Sequence, residues 1–169
     1  METLKAIHTR RSIRKFKPTR VSEELIDKIL GAAMQAPSAG NQQPWHFIVI
    51  NDRELLKEIP KFSPFASMAK DAPVAILVCG DLALEKYKGF WVQDCSAAVQ
   101  NMLLAAHDLN LGAVWTAAYP MEDRTEGFRL LCGLPKDIIP LALVVLGYPE
   151  HTITADNRFR RERVHLNKW

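Results

Sequence analysis

Four residues near the N-terminus carry side chains suited to binding an anion: Arg10, Arg11, Ser12 and Arg14. A planar guanidinium group donates paired hydrogen bonds to a phosphate or to the polar edge of a conjugated ring. In an extended segment alternate side chains share one face, so we expect Arg10, Ser12 and Arg14 to converge on one ligand. A solvated basic turn without a ligand is the alternative for so short a motif.

A second polar group lies in the nine-residue segment Pro37-Ser38-Ala39-Gly40-Asn41-Gln42-Gln43-Pro44-Trp45. Its hydroxyl and amide groups can bind a ligand, and its small residues let the backbone approach one closely. Most connections between a helix and a strand are shorter than this. The segment is therefore predicted to be a binding loop, with an ordinary helix-to-strand connector as the alternative.

Hydrophobic periodicity and capping residues predict the elements that position these two groups. Ser22 and Asp52 are expected to cap helices, Pro37 to stop one, and Gly112 and Gly133 to follow helix ends. The predicted helices cover 3–10, 22–37, 52–59, 91–107 and 122–132, and the predicted strands cover 45–50, 74–79, 113–116 and 141–146.

The strand predicted at 74–79 is apolar on both faces, which indicates a central strand covered by helices on both sides,. Helices and strands mix along the whole chain, without a repeat or a linker. The composition, 48% hydrophobic and 24% charged, is typical of a globular domain and excludes a disordered or collagen-like chain,. We therefore predict one α+β or α/β sandwich domain over 1–169, in which 151–169 forms a tail crossing the surface or a partner chain.

The charge of the chain is concentrated at its two ends. Residues 1–20 hold seven basic side chains against one acidic one, and residues 155–169 hold five against two. Separated basic segments indicate an anionic partner, which could be a phosphate, a nucleic acid or a membrane. No recognition helix, RNA-binding motif or membrane-length apolar run accompanies them, so we expect neither a nucleic acid nor a membrane as partner.

The three cysteines, Cys79, Cys95 and Cys132, are widely spaced and predict neither a disulfide framework nor a zinc site,. The five histidines show no spacing typical of metal ligands, so no metal is expected,. The N-terminus lacks the pattern of a signal peptide,. These features favour a cytoplasmic location.

Four motifs in this order resemble the FMN-dependent nitroreductase family. They are Arg-Arg-Ser-x-Arg, the segment Pro-Ser-Ala-Gly-Asn-Gln-Gln-Pro-Trp about twenty-five residues later, Asp94-Cys95-Ser96-Ala97-Ala98, and Leu111-Gly112-Ala113-Val114-Trp115. The resemblance implies an α+β sandwich with a central, mainly antiparallel sheet flanked by helices. It also implies an intertwined homodimer with one FMN in each of two sites at the subunit interface.

The resemblance also implies the role of individual residues. Arg10 and Ser12, with Arg11, would hold the phosphate and ribityl end of FMN, and Arg14 would lie near the N1/O2 edge of the ring. The partner subunit's loop would supply Pro37, Ser38, Ala39 and Asn41, and Trp115, Thr116 and Ala117 would pass near N5. In the family a basic residue near the C-terminus closes the phosphate site, and Arg158 is the best match for it. Asp156 stands where members often have lysine, so Arg160 and Arg161 remain alternatives.

The implied activity is a ping-pong oxidoreductase, in which NADH or NADPH reduces FMN and a nitroaromatic, quinone or similar conjugated acceptor reoxidises it. The flavin would carry the chemistry without a catalytic side chain, while Arg14 would tune it electrostatically. No dinucleotide-binding glycine motif is present, so the nicotinamide would be a transient visitor,. A reductive dehalogenase-like enzyme and a flavin carrier or sensor with little turnover are the alternatives.

Overall fold

The computed structural model describes residues 1–154 and 156–169. Within them the α helices and β strands follow one another in the predicted order. The helices are α1 (Thr3–Thr9), α2 (Glu23–Met34), α3 (Arg53–Phe62), α4 (Trp91–Asp108) and α5 (Glu122–Cys132). The strands are β1 (Trp45–Ile50), β2 (Val74–Asp81), β3 (Gly112–Ala117) and β4 (Ile138–Gly147).

The four strands form one antiparallel sheet in the order β1-β2-β4-β3. Alternate residues of β2 face opposite sides of this sheet, which gives the fold two cores. Val74, Ile76 and Val78 belong to the core beneath α2 and α4, whereas Ala75 and Leu77 belong to the core beneath α3 and α5. The predicted α+β sandwich and the central position of β2 are therefore confirmed.

Local signals in the sequence explain where several helices begin and end. The Ser22 hydroxyl accepts a hydrogen bond from the Leu25 amide at 3.4 Å, and Asp52 accepts from the amides of Glu54 and Leu55. Gly133 ends α5 in the left-handed conformation that glycine adopts readily,. The capping roles predicted for these residues are confirmed.

The role predicted for Gly112, as the glycine that follows the end of a helix, is wrong. Helix α4 ends at Asp108, and the residue with positive φ beyond it is Asn110, at 60°. Asparagine tolerates the left-handed conformation because its short polar side chain bonds locally. Gly112 instead begins β3, where a Cβ atom would lie 2.7 Å from the Cβ of Ile13. Its missing side chain lets the N-terminal segment lie against the edge of the sheet.

The segment after α1 is held at that edge by backbone hydrogen bonds. The Ile13 amide donates to the Ala113 carbonyl at 3.0 Å, and Ser12 forms a parallel bridge with Ala113. Further along, the Lys17 amide donates to the carbonyl of Tyr148 at 2.8 Å. The arginine motif thus lies beside the start of β3, and the chain after it runs towards the residues that follow β4.

Gly112→Ala is expected to lower the free energy of unfolding by about 1–3 kcal/mol, because the added methyl group overpacks against Ile13,. Urea denaturation measures this loss. Gly31→Ala in α2 is the control: no atom lies within 4 Å of its added Cβ, so the variant is expected to be stabilised by up to about 1 kcal/mol,. Equal stability of the two variants would contradict the close approach of Ile13.

Candidate functional site

Arg10 and Arg11 line a cavity of about 390 Å³ between the end of α1, the end of α4 and the start of β3. Thr9, His107 and Gly112 also line this cavity, together with residues 149 and 151–153. No hydrogen bond engages the Arg10 guanidinium within residues 1–154 and 156–169. Its donors are therefore available to an anion entering this cavity.

Positive charge is concentrated around this cavity. The pKa of Arg10 is lowered from its usual value by partial burial, by the guanidinium of Arg158 and by that of Arg11. The arginine stays protonated at neutral pH, because a guanidinium does not lose its proton in proteins. An anion in the cavity would relieve this repulsion. Among the tail arginines, Arg158 is the one whose charge acts on Arg10.

Arg11 differs from Arg10 because its guanidinium already has partners. It donates to the backbone carbonyls of His8 and Arg10, at 2.9 and 2.7 Å, and to that of Asp156 at 3.2 Å. The last contact holds the tail two residues before Arg158. Arg11 thus helps to position Arg158 beside Arg10.

Ser12 and Arg14 line a second, smaller cavity of about 200 Å³. Both cavities contact Ile13, His151 and Ile153, so they are neighbours on the same surface. Ser12 and Arg14 thus share one cavity, which Ile13 and Lys15 also line, whereas Arg10 groups with Arg11. The reason is that Arg10 caps α1 and precedes the bridge at Ser12, so the five residues do not form one regular strand.

The predicted binding loop forms a tight turn whose backbone is unusual at three positions. Gly40, Asn41 and Gln43 all have positive φ, between 47° and 54°. The Ser38 hydroxyl accepts from the Gln43 amide at 3.0 Å, and the Gln43 side chain donates to Asn41 at 2.8 Å. Polar side chains therefore help to hold this turn, while Pro37 and Asn41 stay exposed.

Beneath this loop lies a buried carboxylate that sequence reasoning gave no role. Asp94 in the first turn of α4 accepts hydrogen bonds from the Ala39 amide at 2.9 Å and from the Gln42 side chain at 2.6 Å. Both Asp94 and Gln42 are buried. The sequence signal for this role is an acidic residue within the apolar stripe of a helix. A carboxylate buried there requires hydrogen-bond donors, which a neighbouring polar loop can supply.

Gln42 also connects the loop to the segment that leads into α4. Its side-chain oxygen accepts from the amides of Lys86 and Tyr87, at 2.8 and 3.2 Å. The Tyr87 ring packs so closely on Gly40 that a Cβ there would lie 2.4 Å from the ring. Asp94 and Gln42 therefore order two segments at once, 38–43 and 86–87.

The binding loop and the arginine cavity lie at opposite ends of α4. Asp94 holds the loop at the start of the helix, and His107 lines the cavity near its end. Thirteen residues of α helix rise about 20 Å. The structure thus does not bring Pro37, Ser38, Ala39 and Asn41 together with Arg10 in one chain.

The remaining predicted residues lie on β3, which continues from the cavity along the edge of the sheet. Trp115 is partly exposed, at 36%. Thr116 is buried and donates to the Leu143 carbonyl at 3.1 Å, and the Ala117 carbonyl accepts from Arg124 at 3.2 Å. Beyond the bridge at Ala113, the described residues pair β3 only with β4. Its outer edge can therefore accept a ligand.

Two of the cysteines lack the exposure that a nucleophile needs. Cys79 and Cys95 are fully buried, and burial raises the pKa of both thiols, that of Cys79 to about 12,. Within residues 1–154 and 156–169, no cluster of three or more His, Cys, Asp or Glu side chains could hold a metal ion. None of the helices there is both long and apolar enough to cross a membrane.

Comparison with known proteins agrees with this architecture. The Nitroreductase family model matches residues 7–66 and 64–148. A Methanothermobacter thermautotrophicus protein provisionally named NADH dehydrogenase/NAD(P)H nitroreductase is 57% identical over 169 residues, which cover 100% of this chain and 88% of that protein. A similarly named protein of Parabacteroides distasonis has a crystal structure that superposes with a TM-score of 0.96 at 44% identity, covering 99% of this chain and 98% of that one.

A third comparison includes a cofactor. A protein of Desulfovibrio desulfuricans, described as a nitroreductase and crystallised in complex with FMN, superposes with a TM-score of 0.84 at 32% identity. The match covers 100% of this chain and 99% of that one.

The fold and the cavity define an α+β sandwich protein with a cationic cleft beside an open sheet edge. The chain belongs to the nitroreductase family, a family of oxidoreductases. The resemblance found in its four motifs is thereby confirmed.

Asp94→Asn is expected to destabilise the protein by about 1–3 kcal/mol, because the amide can no longer accept from both of its buried donors,. Hydrogen exchange should also become faster at the amides of Ala39, Lys86 and Tyr87. Asp27→Asn, at an exposed position of α2, is the control and should change neither quantity. Unchanged protection of these three amides would contradict the role assigned to Asp94.

Proposed function

We propose that this protein binds FMN and uses NADH or NADPH to reduce a nitroaromatic, quinone or similar conjugated acceptor by a ping-pong mechanism. The observation that carries the proposal is the cationic cavity lined by Arg10 and Arg11, where the charges of Arg11 and Arg158 act on Arg10. The cavity opens beside the free edge of β3, so a ligand with an anionic end and a flat ring fits this surface.

The charges of the cavity suit a phosphomonoester. Such a group carries between one and two negative charges near neutral pH and has three oxygens that accept hydrogen bonds. The Arg10 guanidinium offers unused donors, Arg158 adds a second cation, and Arg11 holds the tail that carries Arg158. We assign the phosphate of FMN to these three residues, with Arg158 preferred to Arg160 and Arg161.

The neighbouring cavity supports the position of the ring and the ribityl chain. Ser12 lines this cavity and directly follows Arg10 and Arg11 in the sequence, so it can contact the ribityl end. Arg14 lines the same cavity and is exposed. The positive charge of Arg14 would favour negative charge on the nearest ring edge. Trp115, Thr116 and Ala117 would then run beside the ring along the outer edge of β3.

A homodimer would complete the site, because one chain keeps its two polar groups about 20 Å apart along α4,. We propose that Pro37, Ser38, Ala39 and Asn41 of the partner subunit contact the flavin held by Arg10. Exposed apolar side chains on α1 and in the tail offer surfaces for this pairing, among them Leu4, Ile7, Phe159 and Leu166,. The tail over 151–169 would contact the partner.

FMN, when bound, supplies the redox chemistry, taking two electrons from the nicotinamide and passing them to the acceptor. The protein's residues bind and orient it: the arginines hold its anionic end, and the loop ordered by Asp94 presents amide and hydroxyl groups. Tyr87 and Phe90, both exposed beside that loop, provide aromatic surface for a conjugated acceptor,.

The direct test is to purify the protein, add FMN and record the visible spectrum before and after anaerobic addition of NADH or NADPH. We expect bound flavin, bleaching by a nicotinamide, and recovery of the colour with a quinone or nitroaromatic. Arg10→Ala should weaken FMN binding by at least about tenfold, which is the loss of one charge-assisted contact. Arg160→Ala is the control and should bind FMN normally.

Each other result of this experiment rejects part of the proposal. Failure to bind FMN rejects the flavin site. Bound flavin that stays oxidised with both nicotinamides indicates a carrier or sensor. Reoxidation by a halogenated aromatic, with loss of halide and no response to quinones or nitroaromatics, indicates the dehalogenase-like alternative.

The shared site is tested by complementation between two variants. Arg10→Ala removes a contact from one side of the proposed interface, and Asn41→Ala removes one from the other side. If each site uses both chains, a heterodimer of these variants contains one intact site and one doubly altered site. We expect about one tightly bound FMN per heterodimer, while each homodimer binds weakly at both sites. Weak binding by the heterodimer at every site would reject a site shared between subunits.

A further inference from the structure

His107 occupies a position in the arginine cavity that the proposed function does not use. It lies in the last turn of α4, is half-buried and lines the cavity together with Arg10 and Arg11. Its Nε2 atom is 2.7 Å from the hydroxyl oxygen of Thr9. The side chain is therefore fixed at one ring nitrogen by a contact between α4 and α1.

The hydrogen bonds of Thr9 determine which ring nitrogen carries a proton. The Thr9 hydroxyl donates its single hydrogen to the Lys5 carbonyl at 2.6 Å, so its oxygen accepts from Nε2–H of His107,. In the neutral ring Nδ1 is then the unprotonated nitrogen. Nδ1 has no hydrogen-bond partner within residues 1–154 and 156–169.

The charges around the ring oppose a second proton while the cavity holds no anion. The pKa of His107 is lowered by partial burial, then by Arg10 and also by Arg11, while Asp108 acts in the opposite direction. The carboxylate of Asp108 is itself paired with the N-terminal ammonium. The C-terminal end of α4 also favours a protonated ring, and His151 is the other imidazole lining the cavity,.

We propose that His107 is a further phosphate-binding residue, which takes up a proton from solvent at Nδ1 and donates it in a hydrogen bond to the phosphate. The proposal rests on the proposed function for the identity of the phosphate as that of FMN. The chemistry itself is that of any phosphomonoester or inorganic phosphate. No bond other than the N–H bond forms, so the step requires no further reactant.

The direction of the pH effect follows from the charges. A phosphate neutralises the field of the arginines and stabilises the imidazolium, so ligand binding raises the pKa of His107. The contribution of His107 to affinity is present at low pH and is lost as pH rises through the pKa of the bound state. The second ionisation of the phosphate acts oppositely, because the dianion binds more tightly above about pH 6.

A variant that cannot be charged separates these two effects. Glutamine at 107 retains an amide that can donate to Thr9 but never carries a proton charge. We expect His107→Gln to weaken FMN binding about tenfold at pH 6 and less than about twofold at pH 8, as measured by flavin fluorescence titration. His46→Gln, on β1 and outside the cavity, is the control and should have the wild-type affinity at both pH values.

Riboflavin provides a ligand without the phosphate. The affinity for riboflavin should be the same in the wild type and in His107→Gln at both pH values. A loss for FMN that is equal at pH 6 and pH 8, or a similar loss for riboflavin, would overturn the proposal, since a structural defect would produce either result.

Proton NMR of the imidazole distinguishes this proposal from the proposed function. The imidazole signal of His107 is assigned by its absence from the spectrum of His107→Gln. The pKa that this signal reports should rise when FMN or inorganic phosphate is added. A rise with inorganic phosphate in a protein that does not bind FMN would support the phosphate site and reject the flavin function. No rise with either ligand would overturn the role of His107.

Discussion

The length of helix α4 is the constraint on which the proposed site depends. Its first turn buries Asp94 beneath the polar loop, and its last turn carries His107 into the arginine cavity. A straight helix cannot shorten this separation, because each residue advances the chain by a fixed rise. The two sets of side chains proposed to bind the ligand thus lie at opposite ends of one rigid element, and in our proposal a second copy of the chain brings them together.

Repulsion between arginine side chains links the N-terminal motif to the tail. The charge of Arg158 disfavours the charge of Arg10 until an anion is present,. The contact between Arg11 and the Asp156 carbonyl holds the tail in this position. A ligand that binds only this folded arrangement stabilises the tail and the edge of the sheet together. Binding of the proposed cofactor in this cavity would therefore stabilise a segment far away in sequence.

Much of the fold could be predicted because its signals are local. Ser22 and Asp52 begin helices by accepting backbone hydrogen bonds, and Gly133 ends one by adopting positive φ. Apolar runs in β2 and β4 indicated burial on both faces, which the order of the strands confirms. The left-handed residue after α4 was assigned to Gly112 instead of Asn110, because asparagine can adopt the same conformation as glycine and residue type alone left two candidates.

The amino-acid sequence by itself determined the elements, the α+β class, the two polar motifs and the family. Periodicity and capping act over a few residues and can be read without a fold. Only the tertiary structure decided that Arg10 groups with Arg11 and Arg158, that Asp94 and Gln42 order two loops, and that His107 joins the cavity. Apart from the adjacent pair Arg10 and Arg11, these contacts join residues between 44 and 148 positions apart, and their geometry depends on how the helices pack across the sheet.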